Sequence, residues 1–353
     1  MRKDNPNPLS LSKPLKTLVQ NETGNSVKPQ IIVKGDGTEL DNQKAIKGRA
    51  KRKMITQKMA LSLIDIAKTK KKDERIKAYW NTYHCQERMY SAGGKLYGNY
   101  CKNRFCTLCC SIRKAEIINT YLPVIKNWEE PYFVTLTIKA CSGKSLKKMI
   151  KGIIRAFKRI NGKYRKRNQR GKGIKLIGIK SLECNFNPKA RTYNPHLHLI
   201  VANKEIAETL IDEWLQIWTK KFTSRLAQHK RKVEDRERDL IEIVKYGSKI
   251  FTEPDVNKKS KQKGSRNIHV SALDNIFEAM KGCRIFERFG FNLPETARKK
   301  AGKFTKLSQY QKWYYDPKKN DWINSESEQA LSGYIPPHDL VSLLDYNIEV
   351  LLE

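Results

Sequence analysis

The stretch Tyr193-Asn194-Pro195-His196-Leu197-His198-Leu199-Ile200-Val201 decides how the middle of this chain is read. In a strand, side chains at i and i+2 leave the same face of the sheet. His196 and His198 therefore converge on one side while Leu197, Leu199 and Val201 pack on the other. Glu183, thirteen positions before His196, lies near the end of another strand-like run, from about Leu176 to Phe186. The loop Asn187-Pro188-Lys189-Ala190-Arg191-Thr192 between the two runs predicts an antiparallel hairpin. With Glu183 opposite His196, two imidazoles and a carboxylate share one face. Such a trio can hold a divalent ion and leave positions open for substrate oxygens.

The neighbouring segments alternate in type. Tyr132 to Ile138 is β-branched and aromatic, a strand. Ser145 caps a helix whose apolar positions, Leu146, Met149, Ile150, Ile153, Ile154, Phe157 and Ile160, repeat with the helical period. A basic turn follows from Lys163 to Lys175. Beyond the histidine strand, the pattern predicts helices at Glu205–Phe222, Leu240–Phe251 and Ala272–Met280, with a last strand around Arg284–Phe289. Strand, helix, hairpin and helix in this order point to an α+β fold, a central antiparallel sheet with flanking helices. Upstream, a helical pattern runs from Met54 to Trp80, and another from Ile112 stops at Pro123. The chain divides into a flexible basic arm (1–50), a basic helix with a cysteine-rich segment (51–127), the histidine-bearing domain (128–295) and a basic, aromatic extension with an acidic tail (296–353).

Charge narrows the partners. Lysine and arginine number 71 against 36 acidic residues, a formal net charge of +35. Phosphate backbones suit such an excess, because each neutralised phosphate releases condensed counterions. The N-terminus has no apolar core of signal-peptide length, and no run reaches the ~20 apolar residues that span a bilayer. The reading is a cytoplasmic protein without membrane partners, whose eight cysteines stay reduced.

Two further constellations carry chemistry. Glu242, Tyr246 and Lys249 are spaced i, i+4, i+7 and form one stripe of a helix, separate from the apolar arc of Leu240, Ile243, Val244, Ile250 and Phe251. A phenol that attacks a phosphodiester becomes a covalent phosphotyrosine; a carboxylate one turn away can act as general base and a lysine can hold the phosphate. The bland reading is an exposed tyrosine beside a Glu–Lys surface pair. Cys85, Cys101, Cys106 and Cys109 are separated by 15, 4 and 2 residues. Four thiolates can close a tetrahedral zinc site, with His84 or Cys110 as substitute ligands, and buried free thiols are the alternative.

In their order, Phe133-Val-Thr-Leu-Thr137, Leu182-Glu183, Tyr193-Asn-Pro-His-Leu-His198 and Glu242-Ile-Val-Lys-Tyr-Gly-Ser-Lys249 resemble the rolling-circle replication initiators of small Gram-positive plasmids. These single-tyrosine proteins belong to the His-hydrophobe-His endonuclease superfamily. The likeness spans roughly residues 80 to 290. It includes Ala279-Met-Lys-Gly-Cys-Arg284 and the cysteine segment, where Thr107 departs from the family's usual Cys-Pro-x-Cys. The resemblance implies that Tyr246 nicks one strand at a plasmid origin, keeping the 5′ phosphate and freeing a 3′ hydroxyl. It implies Mg²⁺ or Mn²⁺ on His196, His198 and Glu183, and Glu242 activating the water of a terminating cleavage. Lys249 matches a family lysine. The partners implied are origin DNA, single-stranded at the nick, with a host helicase and polymerase. Arg165, Lys166, Arg167 and Arg170 are predicted to touch phosphates in or beside the nick site. Two other readings are a zinc-containing DNA-binding regulator without catalysis, and a transposase or mobilisation relaxase of the same chemistry.

Overall fold

The computed structural model describes residues 30–248, 268–294, 304–346 and 348–349. Lys249 and the 257–266 loop lie outside the described residues, as do residues 1–29. The fold is α+β. It is built on a five-stranded and a six-stranded antiparallel sheet, joined by eight helices among the described residues.

The five-stranded sheet carries the histidines. Its strands are β4 (Tyr132–Thr137), β5 (Gly178–Asn187), β6 (Thr192–Val201), β7 (His229–Lys232) and β9 (Phe286–Phe289), in the spatial order β7-β4-β6-β5-β9. The hairpin β5–β6 pairs Glu183 with His196 and Ser181 with His198, which is the register the sequence reading requires. On the other side of β6, Thr135 faces His198 and Thr137 faces His196.

Alternation divides the packing. Leu197, Leu199, Val201, Val134 and Leu136 meet α4 (Gly143–Gln169), α5 (Lys204–Ile217) and α7 (Val270–Met280) through Ile150, Ile153, Trp214 and Ile276. The opposite face offers Phe133, Ile179 and Ile200 to α3 (Thr107–Lys126) and α6 (Arg236–Ser248), through Ile117, Ile118, Leu240, Ile243 and Val244. The two histidines belong to this second face, where their row of the sheet is polar.

The six-stranded sheet gathers distant parts of the chain: β1 (Ile31–Glu39), β2 (Arg88–Ala92), β3 (Lys95–Gly98), β10 (Phe304–Leu307), β11 (Gln311–Asp316) and β12 (Asp321–Asn324), ordered β10-β1-β3-β2-β11-β12. α1 (Gln43–Thr69) lays Ile46 and Ala50 on its inner face, against Trp313 and Trp322. The far half of α1 packs with Tyr79 of α2 (Asp73–Tyr83) and Leu340 and Leu344 of α8 (His338–Tyr346). The two-residue strand β8 (Ile268–His269) pairs in parallel with β13 (Ile348–Glu349).

Four expectations are corrected here. The basic arm does not run to residue 50, because β1 and the start of α1 are ordered parts of the sheet and its covering helix. The 296–353 extension is not separate from 51–127, since β11 pairs with β2. The Met54–Trp80 pattern is two helices, broken at Lys70-Lys71-Lys72, where Lys71 takes a left-handed φ of 51°. Finally, Lys163–Gln169 is helix, not turn. Lysine and arginine are good helix formers, and α4 stops only before Gly171 and Gly173, whose φ values are 69° and 77°.

Candidate functional site

The site is built on the polar row of the five-stranded sheet. Glu183 and His196 are 3% and 6% exposed. Glu183 Oε2 lies 3.3 Å from His196 Nε2 and 3.0 Å from His198 Nε2, and the two Nε2 atoms are 3.1 Å apart. His196 Nδ1 is 2.9 Å from the carbonyl oxygen of Asn194, which only accepts. That nitrogen therefore carries the ring proton and donates it, leaving a lone pair on Nε2. Thr135 Oγ1, 3.0 Å from His198 Nδ1, can orient the second ring in the same way.

Lone pairs thus converge from three sides on one point. Both Glu183 oxygens are buried without a well-aligned hydrogen-bond donor. A buried carboxylate in that condition is costly unless a cation meets it. Burial, the largest influence, holds His198 below the usual imidazole range; Glu183 opposes this, and so does the negative charge of Glu242. A neutral ring is the form that binds metal. Glu183, His196 and His198 therefore fit a divalent cation.

Helix α6, which carries Glu242, packs over the same face. Its core side, Leu240, Ile243 and Val244, is buried against Phe133, Ile179 and Ile200. Glu242 is partly buried, and its charge is felt at His198. Tyr246 belongs to the same helix one turn later; its side chain, and Lys249, are outside the described residues.

The four sulfurs of Cys85, Cys101, Cys106 and Cys109 form the second group, all within 4.8 Å of one another. Cys109 Sγ is 3.6 Å from both Cys85 Sγ and Cys101 Sγ. That is far too long for a disulfide, and close to the about 3.8 Å between thiolates on a tetrahedral zinc. Hydrogen bonds from Cys106, Cys109 and Cys85 hold the Cys101 thiol far below its usual range, while Cys85 and Cys106 are pushed up. Four sulfurs this close, with no disulfide between them, are the donor set of a tetrahedral metal site. Lys53, fully buried, donates to the carbonyls of Tyr83 (2.7 Å) and Cys85 (2.8 Å) beside them. Neither substitute ligand joins the cluster: Cys110 Sγ donates to the Arg104 carbonyl at 2.8 Å, and His84 meets Glu87 at 3.1 Å.

Arg165, Lys166, Arg167 and Arg170 are not brought to the histidines. α4 leaves the His196 end of the sheet after β4, runs back along the opposite face, and ends where β5 begins at Gly178, opposite Val201. The four residues are remote in both depth and direction. Sequence reasoning missed Thr135, although its alternation with Phe133 and its place on a neighbouring strand were available as signals. It also missed a run of cations on α3 and the cysteine loop, described below.

A buried two-histidine, one-carboxylate ligand group on an antiparallel sheet, with a second four-cysteine group, defines the class. A family model described as "Replication protein" matches residues 94–304, more than half of the chain and all of the five-stranded sheet. The chain belongs to that replication protein family. It is 30% identical over 172 residues to "Protein rep" of Staphylococcus aureus, covering 44% of this chain and 72% of that one. It is also 24% identical over 200 residues to "Protein rep" of Streptococcus pneumoniae (51% and 59%), and 26% over 136 residues to that of a Bacillus species (36% and 43%). The chain thus spans about half the length of the last two. No solved structure matches. Among the described residues, no helix is long and apolar enough to cross a membrane.

Proposed function

We propose that this chain is a plasmid rolling-circle initiator of the His-hydrophobe-His endonuclease type, which nicks one strand at the origin through Tyr246. The observation that carries the reading is the lone-pair convergence of Glu183, His196 and His198 on the sheet face covered by α6, the helix of Glu242 and Tyr246. Glu183, His196 and His198 would hold Mg²⁺ or Mn²⁺, which would supply a Lewis acid for the scissile phosphate.

The chain's own residues do the rest. The Tyr246 oxygen forms a bond to phosphorus as the bond to the 3′ oxygen breaks; the phenol's proton leaves and the 3′ oxygen gains one. The 5′ phosphate stays on the enzyme as a diester, ready for rejoining or release. Glu242 takes a proton from water or from an incoming hydroxyl in the terminating step. Lys249 holds a phosphate oxygen. The Cys85–Cys109 group takes structural zinc. Origin DNA is the substrate; a host helicase and polymerase act on the exposed 3′ end.

The test is a denaturing gel after incubation with Mn²⁺ and labelled single-stranded origin DNA. Wild-type protein forms a covalent adduct, and Tyr246→Phe forms none while keeping its DNA affinity. A zinc-containing regulator would give no adduct from either protein. Glu242→Gln is expected to form adduct at the normal rate and to accumulate it at least tenfold, because release lacks its base. Normal release would leave Glu242 as a surface partner of a nearby lysine.

A further inference from the structure

A cleft of about 490 Å³ opens beside the metal-ligand group, between α3, α6 and the edge of β9. Its volume is that of pockets which enclose small molecules, about 300–1,000 Å³. Lys102, Arg104, Arg113, Lys114 and Arg284 line it, and among the described residues no carboxylate does. Ile117, Val244 and Phe286 add apolar surface to the same lining. The lining is therefore both cationic and apolar, the combination that a nucleotide's phosphate and base call for.

Its place in the sheet ties it to the site. Ser181 is part of its lining, and the strand registers set Thr135, His198, Ser181 and Phe286 in one row across β4, β6, β5 and β9. Strands are about 4.8 Å apart, so Phe286 stands about 10 Å from His198 along the same face. Val244 reaches the cleft from α6, two positions before Tyr246.

The cations are held there by structure, not merely by abundance. Lys102 occupies a left-handed φ of 59° within the cysteine loop, and its carbonyl accepts a hydrogen bond from Arg113 at 3.1 Å. Arg104 donates to the Cys283 carbonyl, joining that loop to the segment before β9 that carries Arg284. Burial and the neighbouring Arg113 charge lower the proton affinity of Arg104, a crowding of like charges that an anion relieves.

We infer that this cleft seats a nucleotide of the single strand next to the cleaved phosphate, with its backbone phosphate on Lys102, Arg104, Arg113 and Arg284 and its base against Ile117, Val244 and Phe286. The inference rests on the nicking reading above and adds to it the residues that hold the strand. The four-cysteine group serves the same end, because the loop it closes, from Cys101 to Cys106, presents Lys102 and Arg104.

The experiment measures binding of a fluorescent dT 12-mer, its 12-base-pair duplex and a 12-mer of abasic deoxyribose phosphates, all in a Tyr246→Phe background that cannot cleave. The variant is Lys102→Gln with Arg284→Gln, both exposed in the structure and so tolerant of change. Each lost phosphate contact on a single strand lowers the salt slope by about 0.7, roughly fivefold in affinity at 0.1 M salt. The double variant is expected to bind the dT 12-mer about 25-fold more weakly, with a slope smaller by about 1.4. Duplex binding is expected to change less than twofold. The abasic strand should bind wild-type cleft residues at least about fivefold more weakly than dT, since stacking contributes about 1–3 kcal/mol per base. An unchanged dT slope, an equal loss on duplex, or equal affinity for the abasic strand would each overturn the inference. Adduct formation by the Tyr246-intact protein, run alongside, reports on the nicking reading separately.

Discussion

At the residue scale, the metal-ligand group is defined by what its members lack. Glu183, His196 and His198 bring oxygen and nitrogen atoms within 3.0–3.3 Å of one another, yet the fixed tautomer of His196 leaves no proton to share at its Nε2. Orientation comes from neighbours, the Asn194 carbonyl and the Thr135 hydroxyl. Thr135→Val keeps the volume and removes the hydroxyl. It is expected to weaken Mn²⁺ binding by about tenfold, at the low end of the 10- to 100-fold range for such partners, with the melting temperature of the metal-free protein little changed. Titration calorimetry checks this, and unaltered affinity would reduce Thr135 to a packing role. The convergence of Glu183, His196 and His198 was legible in the sequence because a two-residue period and a short loop leave few registers open. The cations of the cleft were not. They come from a loop, a helix and the approach to a strand, in a chain with 71 lysines and arginines, and only folding singles them out.

At the scale of elements, the legible features were those with a strong apolar period: β4, the β5–β6 hairpin, α4 and α5. The misread ones lacked it. β7 is His229-Lys230-Arg231-Lys232, exposed throughout and strand only because β4 offers an edge. Pro123 sits inside α3 and does not end it: one i→i−4 bond is lost there, but the packing of Tyr121, Leu122 and Ile125 carries the helix on to Lys126. The basic tail of α4 was expected beside the histidines and stands at the far end of the other face. Neutralising Arg165, Lys166 and Arg167 together is therefore expected to leave metal-dependent cleavage of a single strand unchanged. If all three contact duplex phosphates, the salt slope of duplex binding falls by about 2.7. Loss of single-strand cleavage in that variant would mean that DNA wraps from one face to the other.

At the scale of the whole molecule, two cores are joined by a buried charge. Asp274 on α7 is fully buried and accepts from Tyr79 at 2.6 Å, Arg75 at 2.6 Å and Lys70 at 3.0 Å, so that α1 and α2 are tied to the helix packed under the five-stranded sheet. Asp274→Ala would remove the buried carboxylate that both cations share, leaving Arg75 only Glu278 and Lys70 only Asn275. Such losses cost about 3–5 kcal/mol; because Lys70 keeps access to water, the lower figure is expected, read from urea unfolding. None of this was legible in the sequence, nor was the six-stranded sheet, whose strands are short and drawn from both halves of the chain. That sheet also sets an order of events during synthesis. The five strands of the histidine-bearing sheet lie within residues 132–289 and can pair as soon as they leave the ribosome, whereas Ile31 must wait for Leu307. Non-local pairing is slow and leaves strand edges exposed. The nascent chain can pair β1 with β3 early, but the other edge of β1 stays open until β10 has been made, and chaperone demand and early truncation products should both centre on that edge.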